Sequence, residues 1–188
     1  KIKNLLKPDN WWILILSGVI AYMLFMIYSE PEYNKAFNFI LPGLTITFLS
    51  TFISFIIALF LGLISGIGRI SKNKFARTIS RTYIEFIRGV PVLILIFTIA
   101  FVVVVRAAEF FNINNGNVPM LVRAIIALSV FYGAYIAEVF RAGIESVPVG
   151  QREGGASLGL SERQVMRHIV LPQAFRNMLP ALGNDFIS

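Results

Sequence analysis

The sequence contains no cysteine, only one histidine and few charged residues. Without cysteine the chain can form neither a disulfide scaffold nor a thiolate metal site, and a single histidine excludes a histidine cluster. The HExxH and P-loop motifs are also missing from the sequence. These motifs carry the zinc and phosphate chemistry of common hydrolases. We therefore expect no catalytic site and no metal site on this chain.

Low charge points to a membrane environment. Charged residues make up 14% of the 188 residues, whereas soluble proteins average about 25%. Hydrophobic residues make up 56%, and the mean hydropathy is +0.74. A chain of this length cannot hide that much apolar surface inside a globule, so its composition predicts a bilayer protein.

Long apolar segments predict an all-α, polytopic membrane helix bundle with at least five spans. They cover about residues 10–29, 43–68, 84–105 and 119–141, and the last begins near residue 173. Pro42 and Gly43 indicate a short entry segment before the second span, and Arg88 is expected in the first turns of the third. The sequence stops at Ser188 within the fifth span, so a further C-terminal element is expected.

The distribution of basic residues predicts the orientation. With the N-terminus in the cytoplasm, fourteen of the 17 Lys and Arg residues fall on the inner side and only Lys35, Arg106 and Arg123 on the outer side. The net charge of +7 is therefore assigned to topology and to anionic membrane lipid rather than to nucleic acid. This orientation places the polar segment 147–172 in the cytoplasm.

Segment 147–172 is predicted to be a helical hairpin. Gly159 supplies a left-handed residue that closes the first helix, and Ser161 with Gln164 forms a capping box that opens the second. Pro172 is expected to end that second helix. The hairpin also has an apolar face, which we interpret as a partner surface, the alternative being packing against the chain's own helices. That face comprises Leu158, Leu160, Val165, Met166, Ile169 and Val170.

The hairpin sequence resembles the EAA loop of binding-protein-dependent ABC importer permeases. The resemblance lies in Glu153-Gly154-Gly155, then Gly159 after three residues, then IVLP after nine, with glycines in place of the family's two alanines. The flanks AYIAEVFRAGIESVPVGQ and LPQAFRNMLPALGN, with GLTITF and YIEFIRGVPVL upstream, resemble the polar and general amino-acid subfamily. The resemblance spans about residues 40–188.

That resemblance implies a type I (MetI-like) permease in a bacterial inner membrane, importing L-amino acids by ATP-driven transport. Residues 1–38 would form a tail, the first helix and an outer loop, and residues 39–188 the permease domain. The implied partners are a second permease, two ATPase subunits that hold ATP and magnesium, and an extracytoplasmic amino-acid-binding protein. The implied ATPase contacts are Glu153, Gly154, Gly155, Ser157, Leu158 and Gly159.

Two other functions, a secondary transporter and a membrane scaffold, are the alternatives. A secondary amino-acid transporter would need inverted repeats and a coupling-ion site, and the sequence contains no clear internal repeat. A membrane scaffold subunit would need no substrate path, so its polar residues would line no cavity.

Polar residues within the spans are the remaining candidates, because ionisable groups are expensive in a membrane. Glu85 with Arg88 and Glu138 with Arg141 are spaced for structural ion pairs. A zwitterionic amino acid needs an acceptor for its amine, and Asp185 or Glu138 is the expected one. The substrate-path candidates are Thr45, Glu138, Asn184 and Asp185.

Overall fold

The computed structural model describes residues 11–113 and 118–187, and those residues form helices and turns with no strand among them. In chain order the helices are α1 (Trp11–Ser29), α2 (Pro31–Ile70), α3 (Lys74–Gly89), α4 (Val92–Thr98), α5 (Val104–Phe110), α6 (Met120–Glu145), α7 (Val149–Ser157), α8 (Glu162–Val165) and α9 (Leu171–Ile187). Two π-helical turns, Ile99–Val103 and Met166–Val170, join α4 to α5 and α8 to α9. The all-α prediction is confirmed.

Four of the described helical segments are long and apolar enough to cross a membrane. They are Trp11–Ser29, Pro31–Ile70, Val92–Phe110 and Met120–Glu145. The predicted fifth span corresponds to α9 (Leu171–Ile187), which is not among these four segments. A count of five spans therefore stays a prediction.

The predicted break at Pro42 is wrong. The α2 helix runs from Pro31 to Ile70 with Pro42 inside it, so the expected outer loop and entry segment are helical. Pro42 removes one backbone donor, and apolar sequence follows it on the same helix. In surroundings without water the remaining backbone groups still need internal partners, which favours continuing the helix.

The predicted start of the third span is also wrong. Residues before Pro91 form a separate amphipathic helix, α3, which Asn73 caps by accepting hydrogen bonds from the backbone N–H groups of Phe75 and Ala76. Val90 is extended (φ −104°, ψ 138°) because a residue that precedes proline is pushed out of the helical region. The span begins only at Val92.

Contacts divide the chain into two units, Lys1–Leu49 and Ser50–Ser188. The first unit contains α1, none of whose side chains is buried. In the second unit, α6 lies between two apolar clusters. One cluster joins α6 to α2, the hairpin and α9, and the other joins it to α3, α4 and the adjoining π turn.

Small residues let α2 approach α6 closely. Ala58, Gly62 and Gly66 recur at intervals of four and are buried, and such a stripe of small residues lets membrane helices pack closely. A Cβ atom on Gly62 would lie 2.5 Å from Ile136 Cγ2 and 3.0 Å from the Ala137 backbone nitrogen. No larger side chain fits there without moving the α6 backbone.

Candidate functional site

The hairpin between α6 and α9 has the predicted turn. Gly159 is left-handed (φ +79°), and the backbone N–H of Ser161 donates to Gln164 Oε1 at 2.8 Å, completing a capping box. The predicted stop at Pro172 is wrong, since the second helix continues through a π turn into α9. Leu171 N–H bonds five residues back to the Met166 carbonyl. This shift in the hydrogen-bond ladder accommodates Pro172, which has no N–H to contribute.

The apolar face of the hairpin packs inward, so its interpretation as a partner surface is wrong for the second helix. Val165 and Val170 are buried in the same cluster as Ile136 and Phe140 of α6. Gly155 lies at the contact between the two arms, where a Cβ would be 2.6 Å from Ile169 Cδ1. The close contact between the two arms explains why residue 155 is a glycine. It does not explain Gly154, where a Cβ would meet nothing within 4 Å.

The outer edge of the hairpin is bare. Leu158 is 81% exposed. Of the six residues implied as ATPase contacts, five are exposed and Gly155 is buried; the exposed ones are Glu153, Gly154, Ser157, Leu158 and Gly159. An exposed leucine at a helix end, next to a carboxylate and a bare glycine backbone, is suited to docking against another protein surface.

Two hydrogen bonds attach the hairpin to the helices on either side of it. Arg152 Nη2 donates to the Ile144 carbonyl of α6 at 2.9 Å, and Gln173 Nε2 of α9 donates to Gln151 Oε1 at 3.3 Å. A third bond joins the two helices directly, from Asn177 Nδ2 of α9 to Ser146 Oγ at the end of α6, at 2.8 Å. Force applied at the outer edge would therefore be transmitted to α6 and α9 together.

Glu138 of α6 is the centre of a charged network. Its Oε1 accepts a hydrogen bond from Arg141 Nε at 2.9 Å. Its Oε2 lies 3.2 Å from Arg69 Nη1 and 3.9 Å from Arg88 Nη1. Because Arg69 is in the last turn of α2 and Arg88 in that of α3, one carboxylate connects the ends of these two helices to α6.

Glu85 and Arg88 do not form the expected pair in the described structure. Glu85 instead accepts a hydrogen bond from Arg81 Nε at 2.8 Å and lies 3.9 Å from Arg69. Arg88 lies between Glu138 and the ring of Tyr135, whose centroid is 5.3 Å from its guanidinium carbon. No local pattern predicts this arrangement, because Arg88 and Glu138 are 50 residues apart along the chain.

A cavity of about 220 Å³ lies beside Asp185. Two hydroxyl side chains of α2, Thr51 and Ser54, and the phenol of Tyr132 in α6 line it with Asp185. Sequence reasoning missed these three residues; the one signal for Ser54 was its position four residues before the small stripe. Among the other substrate-path candidates, Asn184 and Thr45 are exposed and Glu138 is engaged by arginines.

Comparison with known proteins decides the family. Residues 58–188 match the family described as binding-protein-dependent transport system inner membrane component. The chain belongs to this family. The resemblance inferred from the hairpin and its flanks is thereby confirmed.

Curated relatives in this inner membrane component family include amino-acid permeases. The L-cystine transport system permease protein TcyB of Bacillus subtilis is 38% identical over 78% of this chain and 59% of its own length. The glutamate transport system permease protein GluD of Corynebacterium glutamicum is 40% identical over 80% of this chain and 53% of its own. The chain thus spans a little over half the length of these relatives.

Solved structures support the same fold. A crystal structure of an amino acid ABC transporter with histidines superposes with a TM-score of 0.73 and 35% identity, covering 83% of this chain and 69% of that one. An inward-facing MetNI methionine ABC transporter superposes with a TM-score of 0.56 and 24% identity, covering 85% and 71%. The MetI-like fold class is confirmed.

Proposed function

We propose that this chain is a permease subunit that forms part of the path for ATP-driven uptake of L-amino acids across a bacterial inner membrane. The observation that carries the proposal is the hairpin, which is exposed at its outer edge and hydrogen-bonded to α6 and α9 behind it. Relatives named as cystine and glutamate permeases support the substrate class. The chain itself would hydrolyse nothing.

The partners follow from this role. Two ATPase subunits, which hold ATP and magnesium, would bind the exposed residues of the hairpin, with Leu158 as the apolar anchor and Glu153 as the acceptor. Gly155 would act indirectly, by letting the two arms of the hairpin pack. A second permease, identical or similar, would complete the path, and an extracytoplasmic amino-acid-binding protein would deliver the substrate.

Within the membrane, the Asp185 cavity is the proposed contact for the substrate amine. A carboxylate beside the hydroxyls of Thr51 and Ser54 and the ring of Tyr132 offers acceptors and an aromatic face to an ammonium group. Glu138 is less suited, because arginines from three helices already surround its carboxylate. Thr45 and Asn184 stay predictions.

The test of coupling is reconstitution of the chain with a candidate ATPase and binding protein in proteoliposomes. Leu158→Arg should abolish ATPase association and ATP-dependent uptake, because it places a charge in the docking edge. Phe110→Arg is the matched control, since Phe110 is also 81% exposed but ends α5. Uptake without ATPase would indicate a secondary transporter, and absence of uptake with a fully assembled complex would indicate a scaffold.

The proposed orientation has a separate test. Because the sequence contains no cysteine, a single introduced cysteine is the only site for a membrane-impermeant maleimide. With the N-terminus in the cytoplasm, Phe111→Cys should react in intact cells and Ser157→Cys only after lysis. The reverse labelling pattern would place the hairpin outside and contradict the coupling mechanism.

A further inference from the structure

The amphipathic helix α3 has three distinct faces, of which the chain's own core covers only one. Ser80, Ile84 and Ile87 are buried, and the Tyr83 hydroxyl on this side donates to the Val130 carbonyl of α6 at 2.6 Å. These residues lie within about 100° of one another at 3.6 residues per turn. This face attaches α3 to the second unit.

A second face of α3 is apolar and bare. Phe75, Ile79 and Phe86 are 75%, 54% and 64% exposed. At about 100° per residue they fall within a sector of about 40°, whose centre is about 110° around the helix from that of the buried face. A row of exposed aromatic and branched side chains forms an apolar patch, and such patches usually mark a surface that contacts another protein or a membrane.

The third face is basic. Lys74, Arg77 and Arg81 fall within a sector of about 60° that borders the buried face and is about 150° around the helix from the apolar row. From Arg69 to Arg81 the sequence has five basic residues and no acidic one. Arg69, Lys72 and Arg81 are paired with glutamates, whereas Lys74 and Arg77 have no acidic side chain within 4.0 Å among the described residues. The uncompensated charge of Lys74 and Arg77 calls for an anionic partner.

Both ends of α3 lie at the same level of the bundle. Its first residue, Lys74, follows the membrane-crossing helix α2 after three residues. Its last turn carries Arg88, which reaches Glu138, and the same carboxylate contacts Arg69 at the end of α2. A helix whose start and finish both lie beside this charged layer runs across the membrane surface rather than through the bilayer.

We propose that α3 is an interfacial helix that binds the anionic phospholipids of one leaflet. The row of Phe75, Ile79 and Phe86 inserts among the acyl chains. Lys74 and Arg77 extend toward headgroup phosphates from the opposite, aqueous side of the helix. A helix with one apolar and one Lys/Arg-rich face has the chemistry of an in-plane membrane helix, and each basic group near an anionic surface strengthens binding.

Depth measurements on the full chain test the placement of α3. Single cysteines at positions 75, 79 and 86, and at 77 and 78 as neighbours on other faces, would carry a spin label in phosphatidylcholine vesicles with or without phosphatidylglycerol. Labels at 75, 79 and 86 should meet oxygen dissolved in the bilayer, and those at 77 and 78 an aqueous nickel chelate. Equal access of the nickel chelate to all five labels would overturn the proposal. Shielding of the apolar row from both reagents would also overturn it, and would indicate a protein partner such as a second copy.

Lipid selectivity is measured with a fluorophore at Ile79→Cys, quenched by brominated phosphatidylglycerol or brominated phosphatidylcholine. The double variant Lys74→Gln, Arg77→Gln should reduce the preference for phosphatidylglycerol at least about fivefold. The control is Lys35→Gln, Arg106→Gln, which removes the same charge elsewhere and should leave the preference unchanged. An unchanged preference in the first variant would contradict headgroup binding. No ATPase or transport enters these measurements, so their failure is separable from that of the proposed function.

Discussion

The α1 and α6 helices are both long and apolar enough to cross a membrane, yet they differ in how far their residues are buried. None of the side chains of α1 is buried, whereas nine residues of α6 are. A Cβ on Gly18 of α1 would meet nothing within 4 Å, while one on Gly133 of α6 would be 2.9 Å from Leu61 Cβ. Apolar length selects the bilayer; small side chains and charges then select the neighbouring helices.

The largest expected effect comes from removing the charge at the centre of the packed region. Glu138→Ala would leave Arg69, Arg88 and Arg141 close together without their shared carboxylate. We expect a loss of about 3 kcal/mol in the free energy of unfolding, measured by chemical unfolding in mixed micelles. Glu109→Ala is the control, because the Arg106–Glu109 pair is on an exposed surface and should change stability by less than about 1 kcal/mol. Equal losses of stability in the two variants would mean that the ion pairs of Glu138 do not stabilise the fold.

Adding one methyl group tests the difference in packing between the α2–α6 contact and α1 directly. Gly62→Ala forces a Cβ against Ile136 and the backbone of Ala137, so we expect about 2 kcal/mol of destabilisation from overpacking. Gly18→Ala is the same substitution in α1, where space is open, and it should stabilise slightly because alanine favours a helix. Opposite signs in thermal unfolding are the expected result. A stabilising Gly62→Ala would show that α2 and α6 are farther apart than the structure has them.

A single hydroxyl provides a finer comparison. Tyr83→Phe removes the hydrogen bond to the Val130 carbonyl, and we expect a loss of about 1 kcal/mol. Burial raises the pKa of Tyr83 to about 12, so the group stays a donor and the loss should not vary between pH 6 and pH 9, to within about 0.2 kcal/mol. Tyr28→Phe in α1, where the tyrosine is 90% exposed, should change little. A matching loss at both positions would argue against a specific bond at Tyr83.

The parts of the structure that local chemistry determines were predictable from the sequence. The left-handed Gly159 and the capping box at Ser161 each depend on residues within one or two helical turns, and both predictions are confirmed. Two local signals conflicted near residue 90. The apolar run from residue 84 predicted one continuous span, but Pro91 forces Val90 out of the helical conformation and divides the run into two helices.

Long-range contacts were out of reach. Nothing local indicates that Arg69 and Arg88 converge on Glu138, or that Tyr132 and Ser54 face Asp185 across a cavity. The inward packing of Val165 was open for the same reason, since periodicity identifies an apolar face and not what covers it. The π turn before Pro172 likewise depends on how α9 must be placed against α6, which no short motif encodes.

The smallest expected effect is at the Lys72–Glu162 pair, which links the turn between α2 and α3 to the hairpin. Lys72 Nζ lies 2.6 Å from Glu162 Oε2, with both side chains largely exposed. The hydrogen bond from Lys72 lowers the pKa of the Glu162 carboxyl. A lowered folded-state pKa stabilises the fold above the unfolded-state pKa, and this stabilisation is lost as pH falls through the lowered value. The thermal midpoint of Glu162→Gln should therefore lie slightly below that of the native chain near pH 7, and the two should converge near about pH 3. About 1 M salt should remove the same difference by screening. A difference that persisted in salt and acid would mean that Glu162 acts through packing, as the residues of α6 do, rather than through surface charge.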